Sequence, residues 1–319
     1  MKMKIIVLLS LLTSGVFAQG PLQPSTTIDP KLGPVAPLNG SGAPQPTMRT
    51  LYQVEPRTPL VAGSPGVTVT GGGNITISQP GSYYLTANVT LTGGNGITIN
   101  NGPVTIDLNG FTVSTNAAAT GSGIFGNTGS TVIISNGNIS CSGAVNGATG
   151  AITGSSFQYG INMFSSFQAT VSKVNISGIS DKAIYLDKDY ATTIDSCTAL
   201  NCVNGFEAAT ISSCTATAIG QSAIVGELVS NCVGKSYVGT GITGLLVNNS
   251  IGETKNTLTT SVASGIRADV LNAGLVTNSR GITGAVGLSN SRSINAHTIV
   301  GCTYIGESGA FYRYNTAPP

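Results

Sequence analysis

Short runs of alternating apolar and polar residues set the character of this chain. They include Val67-Thr-Val-Thr, Asn74-Ile-Thr-Ile, Ile97-Thr-Ile and Val104-Thr-Ile, each bounded by Gly, Asn or Pro. Alternation with a period of two marks half-buried strands, and the Gly, Asn and Pro breaks mark turns. No helical period longer than two turns runs through this stretch. From Thr58 to Ser172 there are 115 residues and a single charge, Asp107. Solvation of that surface therefore falls to Ser, Thr, Asn and the backbone.

Further along, the pattern repeats. An aliphatic residue followed three places later by a small polar residue or a thiol recurs as Val174/Ser177, Ile194/Cys197, Ile211/Cys214, Val229/Cys232, Val247/Ser250, Val276/Ser279, Leu288/Ser291 and Ile299/Cys302. From Cys197 to Ser250 the steps are 17, 18 and 18 residues. A second marker, a small residue then Ile or Phe, runs through Gly160-Ile161, Ala183-Ile184, Gly205-Phe206, Ala223-Ile224, Gly241-Ile242, Gly265-Ile266 and Gly281-Ile282. A unit of about 20 residues cannot bury its own apolar side chains, whereas stacking units in register buries them in a shared column. The spacing predicts an all-β chain folded as a single-stranded solenoid, the parallel β-helix. Each strand then lies about 4.8 Å from its equivalent in the next coil, and like residues stack on like. Residues 65–316 hold roughly ten to twelve such coils, a rod of about 50–60 Å. An antiparallel sandwich does not require the same residue at the same offset in successive units. Repeat length leaves handedness open, since about 18 residues per turn also suits a left-handed prism.

The N-terminal region divides differently. Lys2 and Lys4 precede the apolar run Ile5–Leu12, and Val16-Phe17-Ala18 is a small-residue cleavage pattern, so residues 1–18 read as a secretory signal peptide cut near Ala18. The mature protein is thus expected outside the cytoplasm: extracellular, at the cell surface or periplasmic. Residues 19–47 carry Pro21, Pro24, Pro30, Pro34, Pro37, Pro44 and Pro46 and read as an extended, flexible leader. Residues 48–64 read as an N-terminal cap, with Met48, Leu51 and Val54 spaced for a short helix that plugs the open end of residues 65–319. Tyr304, Phe311, Tyr312 and Tyr314 are placed to cover the other end.

Composition narrows the partners. Of 319 residues, Gly accounts for 43 and charged residues for 8%, against an average of about 25%. Removing Lys2 and Lys4 from the 14 basic residues leaves 12 against 12 acidic ones, a formally neutral mature chain. Nucleic acid is not an expected partner, because such binding needs clustered Lys and Arg. No transmembrane segment is expected.

MRTLYQVEPRTPL from Met48, ISQPGSYYLTANVTL from Ile77 and VTIDLNGFTVS from Val104 resemble the entry segment of secreted bacterial right-handed parallel β-helix repeat proteins of the pectin-lyase-like superfamily. The likeness covers residues 48–140 closely and the repeats to about 302 loosely. It implies a right-handed helix of three-strand coils and export. It does not deliver a reaction, because a fold does not fix an activity. Glycosidases of that superfamily group aspartates with a His and a basic residue, and the motifs Asn-Thr-Asp, Asp-Asp, Gly-His-Gly and Arg-Ile-Lys are all missing. The single His297 reads as a surface or structural residue.

Six cysteines in an exported chain raise the question of disulfides. Cys197, Cys214 and Cys232 share one repeat position, which predicts an interior ladder of free thiols packing as small apolar groups. A Cys197–Cys202 or adjacent-coil bridge is the alternative. The spacings lack the paired two-to-four pattern of a zinc site.

Candidate chemistry concentrates at Asp181, Lys182, Asp187, Lys188, Asp189 and Asp195, flanked by Tyr185 and Tyr190. Asp187, Glu227 and Asp269 each fall three places after the Ile of the second marker, which suggests one face. Two coils would separate Asp187 from Glu227 by about 10 Å, at the outer limit for an inverting carboxylate pair. The catalytic candidates are Asp187, Asp189, Asp195 and Glu227 with Lys188 or Arg267. Asp187 and Asp189 are also the candidate oxygen ligands for Ca²⁺, no other cofactor being implied. Tyr185, Tyr190 and Tyr159 are the candidate stacking platforms for a sugar, with Asp187 and Asp189 beside them. The bland reading is a solvated turn with Asp–Lys pairing. Asp107, next to Asn109-Gly110, reads as a turn residue that accepts backbone N–H groups. Two functions remain open: a non-catalytic exported module that binds polysaccharide or serves as a surface or matrix element, and a polysaccharide lyase or glycoside hydrolase. A third, crystal-face binding, needs an unbroken Thr column, which Leu228 and Leu246 interrupt.

Overall fold

The computed structural model describes residues 57–305 and 311–313, apart from 119, 127, 128, 130, 165, 167, 256–263, 269–273 and 285–291. Segments 1–18 and 19–47, the Met48–Val54 part of the cap, and Tyr314 lie outside the described residues. The chain divides into two units at Pro56, and the strands belong to the second. Among the described residues every regular element is a β-strand and there is no helix.

Pairing is parallel except for Val67–Val69 with Ile75–Ile77 and the small hairpin of Ala144–Val145 with Ile152–Thr153. Three columns of paired residues record how the chain returns over itself. In the first, Ile75, Ile97, Ile124, Ile161, Ile184, Phe206, Ile224, Ile242, Ile266, Ile294 and Phe311 pair in that order, eleven rungs among the described residues. The second runs Ile106, Ile134, Val171, Ile194, Ile211, Val229, Val247, Val276 and Ile299. The third tapers from Val113, Ile139 and Ile176 through Ala199 and Ala216 to Gly234, Gly252 and Gly281. A long, mostly parallel sheet of this kind is consistent with a β-helix solenoid.

The taper has a packing cause. A Cβ added at Gly252 would collide first with the carbonyl oxygen of Gly265 and then, at 2.6 Å, with Cγ1 of Ile266, so the first-column strand, backbone and Ile together, fills the space that a third-column side chain would need. Interior density stays near that of an organic crystal only if one column shrinks where another reaches in. Ile97, Ile124, Ile184 and Ile242 are fully buried, each contributing about 1.5–3 kcal/mol of burial free energy.

Between its second- and third-column strands each rung turns sharply through one residue with positive φ. Asn109, Asn136, Lys173, Ser196, Ser213, Asn231, Asn249 and Asn278 hold φ between 46° and 59° there, and Gly301 holds 63°. Asn and Gly tolerate this left-handed conformation best. The next residue then points inward, which builds the predicted ladder of Cys197, Cys214, Cys232, Ser250, Ser279 and Cys302. The N–H of each ladder residue donates to the side chain of the next: Cys197 to Cys214 Sγ at 3.4 Å, Cys214 to Cys232 Sγ at 3.5 Å, Cys232 to Ser250 Oγ at 3.1 Å. Ser250 to Ser279 Oγ at 3.1 Å and Ser279 to Cys302 Sγ at 3.5 Å continue it. Each side chain in turn donates to the carbonyl two residues earlier, as Cys214 does to Ser212 O at 3.0 Å and Ser250 to Asn248 O at 2.8 Å. Thiol and hydroxyl interchange along the ladder because both supply one donor and one acceptor. All six cysteines are free.

Three register assignments from the sequence change. Val276 pairs directly with Ile299 and Ser279 bonds to Cys302, so Leu288/Ser291, outside the described residues, is not a rung between them. Val171 pairs with Ile194 and Asn175 with Thr198, which puts Val174, not Ser177, at the level of Cys197. Val171 and Val174 are both buried and three residues apart, so the motif fits the chain at either position. Gly281-Ile282 leaves the first column: Ile282 pairs with Glu253, and Ile294 follows Ile266. Gly281 there ends the glycine stretch of the third column.

Candidate functional site

Side chains alternate along a strand, so the residue after each first-column Ile faces out. This outward row reads Phe125, Asn162, Tyr185, Glu207, Val225, Thr243 and Arg267. Three rings gather on it. Tyr185 stacks on Phe164 with centroids 4.7 Å apart and on Tyr159 at 5.8 Å, the planes within 22° of parallel. Tyr159 opens the strand Tyr159–Met163, and Phe164 follows that strand at a turn where its N–H donates to Asn162 Oδ1 at 3.2 Å.

Charged groups hold the cluster in place. Lys182 Nζ lies 3.5 Å from the Tyr185 ring centroid and 2.9 Å from Glu207 Oε2, so one ammonium serves a cation–π contact and an ion pair together. The Asp181 carboxylate stands near the Tyr159 phenol, and its Oδ1 accepts from Asn204 Nδ2 at 3.2 Å. Burial first, then the nearby Asp181 charge, push the Tyr159 phenol above its ordinary value. It therefore stays a donor at neutral pH. Burial likewise raises the Tyr185 phenol, with Lys182 opposing. Because Phe164, Tyr159 and Lys182 all engage Tyr185, the open ring surface of the cluster belongs to Phe164, which is 46% exposed.

The other sequence candidates spread out around this cluster. Asp187 follows the strand Lys182–Leu186, and its Oδ1 accepts the N–H of Asp189 at 3.0 Å, so the carboxylate caps its own turn. Lys188, Asp189 and Tyr190 are the exposed tip of that turn, which closes when Thr192 Oγ1 donates to Asp187 O at 2.7 Å. Asp195 sits on the neighbouring second-column sheet, accepting Ser212 Oγ at 2.6 Å and Ser196 Oγ at 2.8 Å. Those two hydroxyls, Ser212 first, hold its carboxyl below the ordinary value. Glu227 is exposed on the strand Ile224–Ser230, two rungs from Asp187. Arg267 shares the outward row with Tyr185 but stands four rungs away, about 19 Å at strand spacing. Asp269 lies outside the described residues. His297 is partly exposed just past the strand Arg292–Ala296. Among the described residues no group of three His, Cys, Asp or Glu side chains is arranged to hold a metal ion.

Phe164 and Glu207 were not singled out in the sequence. Glu207 occupies the position just after the second marker, and Phe164 falls three places after Ile161, the offset that carries an acid at Asp187, Glu227 and Asp269. Asp107 takes its expected turn role, accepting the N–H of Asn109 at 2.8 Å, and adds a 2.6 Å ion pair to Arg57.

No protein-family model, curated protein or solved structure matches this chain. Among the described residues no helix is long and apolar enough to cross a membrane.

Proposed function

We propose that this chain is an exported, right-handed parallel β-helix of the pectin-lyase-like kind that binds a glycan without cleaving it, as a cell-surface or extracellular module. The signal-like segment 1–18 supports export, and the segments from Met48, Ile77 and Val104 support the family and the hand. One observation carries the binding reading. The Tyr159–Tyr185–Phe164 stack stands on an outward sheet face beside the Lys182–Glu207 pair, with the Phe164 ring exposed. Aromatic rings with polar neighbours supply the stacking surface and the hydrogen-bonding edge that a pyranose requires. The candidate catalytic acids argue against turnover. Asp187 caps a turn, Asp195 is held by two serines on another sheet, and Arg267 is four rungs from Tyr185.

Retardation of the protein in native gels containing soluble polysaccharides tests this reading. Phe164→Ala is expected to abolish retardation while leaving the far-ultraviolet spectrum unchanged. Appearance of reducing ends or unsaturated products, lost in Asp187→Ala or Glu227→Gln, would establish a lyase or hydrolase instead.

A further inference from the structure

We infer that the glycan held at the Tyr159–Tyr185–Phe164 face is an uncharged polysaccharide rather than a polyuronate, an inference that rests on the glycan-binding reading above. A polyuronate brings one carboxylate per sugar and needs cations with donors to spare. Lys182 is the cation of the cluster, and its ammonium is already committed to Glu207 at 2.9 Å and to the Tyr185 ring at 3.5 Å. Asp181 adds an acidic side chain at the rim, where its Oδ1 accepts from Asn204. The turn that follows the Tyr185 strand adds Asp187, Lys188 and Asp189. Asp181, Asp187, Asp189 and Glu207 against Lys182 and Lys188 leave this rim at a net charge of −2 (four acids less two bases). Arg267 is about 19 Å away along the row, beyond the screening length of about 8 Å at physiological ionic strength.

Neutral sugar hydroxyls meet no such penalty. Asn162, the Tyr159 phenol and the Asp181 carboxylate offer both donors and acceptors beside the open Phe164 ring. The face is therefore built to stack on a ring and hydrogen-bond hydroxyls while repelling anions.

The test uses soluble glucan, galactan and mannan, each also supplied with its C6 hydroxymethyl groups oxidised to carboxylates. Affinity electrophoresis of the intact protein at low salt is expected to show at least tenfold tighter binding to a neutral polymer than to its oxidised form. The gap is expected to narrow in 0.5 M NaCl as the rim charge is screened. Glu207→Gln releases Lys182 and is expected to shift the ratio of oxidised to neutral binding several-fold toward the oxidised polymer. Equal binding of both forms by the wild-type protein, or an unchanged ratio in Glu207→Gln, would overturn the inference and leave the glycan reading standing. Retardation by neither form, from protein with an intact thermal transition, would remove the glycan reading and the inference with it.

Discussion

The backbone N–H of Cys197 donates to the Sγ of Cys214 across adjacent rungs at 3.4 Å. A thiol here acts as a hydrogen-bonding group rather than as filler, and Ser250 and Ser279 do the same work further down the column. Cys214→Ser is therefore expected to remain within about 1 kcal/mol of the wild type, because donor and acceptor both survive. Cys214→Val keeps the volume but strands the buried N–H of Cys197, at a cost of about 1–3 kcal/mol. Urea denaturation of the two variants compares them directly, and equal losses would show that only packing matters.

Two buried thiols, Cys214 within the ladder and Cys202 outside it, make stability fall in alkali. Burial holds the Cys202 thiol at about 12, against an ordinary 9.0. The hydrogen bond with Cys197, reinforced by burial, pushes Cys214 to a similar value of about 12. Folded pKa values raised in this way leave the contribution whole while both states are protonated, below about pH 9. Between pH 9 and about 12 the unfolded chain ionises first, and stability drops as pH rises. Cys202→Ala is expected to flatten that decline in denaturation curves taken at pH 8, 9.5 and 11. A thiol reagent should modify all six cysteines once the chain is unfolded, and Cys141 and Cys302, the two that are not fully buried, first in the native protein.

Lys173 occupies the left-handed corner with φ 54°, where neighbouring rungs place Asn136 and Ser196. Lys is poorly suited to that conformation, whereas Asn adopts it readily. Lys173→Asn is expected to gain up to about 1 kcal/mol, and Lys173→Val to lose about 1–2 kcal/mol through β-branching in the same corner. Thermal midpoints of the pair, moving in opposite directions, would confirm the corner as the cause.

Asp107 ties two things together: the turn at Asn109 and the Arg57 guanidinium, which also lies 5.0 Å from the centroid of the Tyr84 ring. Asp107→Ala is expected to cost about 1–3 kcal/mol, the worth of a charge-assisted hydrogen bond plus a half-exposed pair. Asp107→Asn keeps the turn acceptor and should cost less than about 1 kcal/mol. Denaturation at low and high salt separates the two, since only the ion pair is screened.

The stacked parallel sheet was legible because pairing rung on rung forces identity at a fixed offset. Cys197, Cys214 and Cys232 announce it in one column, and Ile184, Phe206 and Ile224 in another. The register at Val174 was not, since two buried valines three residues apart satisfy the same motif. The aromatic cluster was half legible. Tyr159 and Tyr185 stand out in a chain with no Trp and 10 Tyr, but Phe164 joins them only once the rungs are aligned. Lys182 and Glu207 are 25 residues apart, and nothing local says they meet. Their ion pair follows from Lys182 stacking over Asn204 and Tyr185 over Glu207, a matter of register rather than of motif.

Every rung is fastened to the one before and the one after and to little else, as the column pairings from Ile75 to Phe311 record. Cooperativity in such a stack is a nearest-neighbour affair, so loss of order travels as a front from the termini inward. The terminal layer already carries Val300, Tyr304 and Ile305 about half in water, while the layers around Cys197 to Cys232 are closed on both sides. Amide protons should therefore exchange with deuterium in a gradient, slowest near mid-stack and fastest at the last strands, so that the molecule erodes like a column of coins rather than melting all at once.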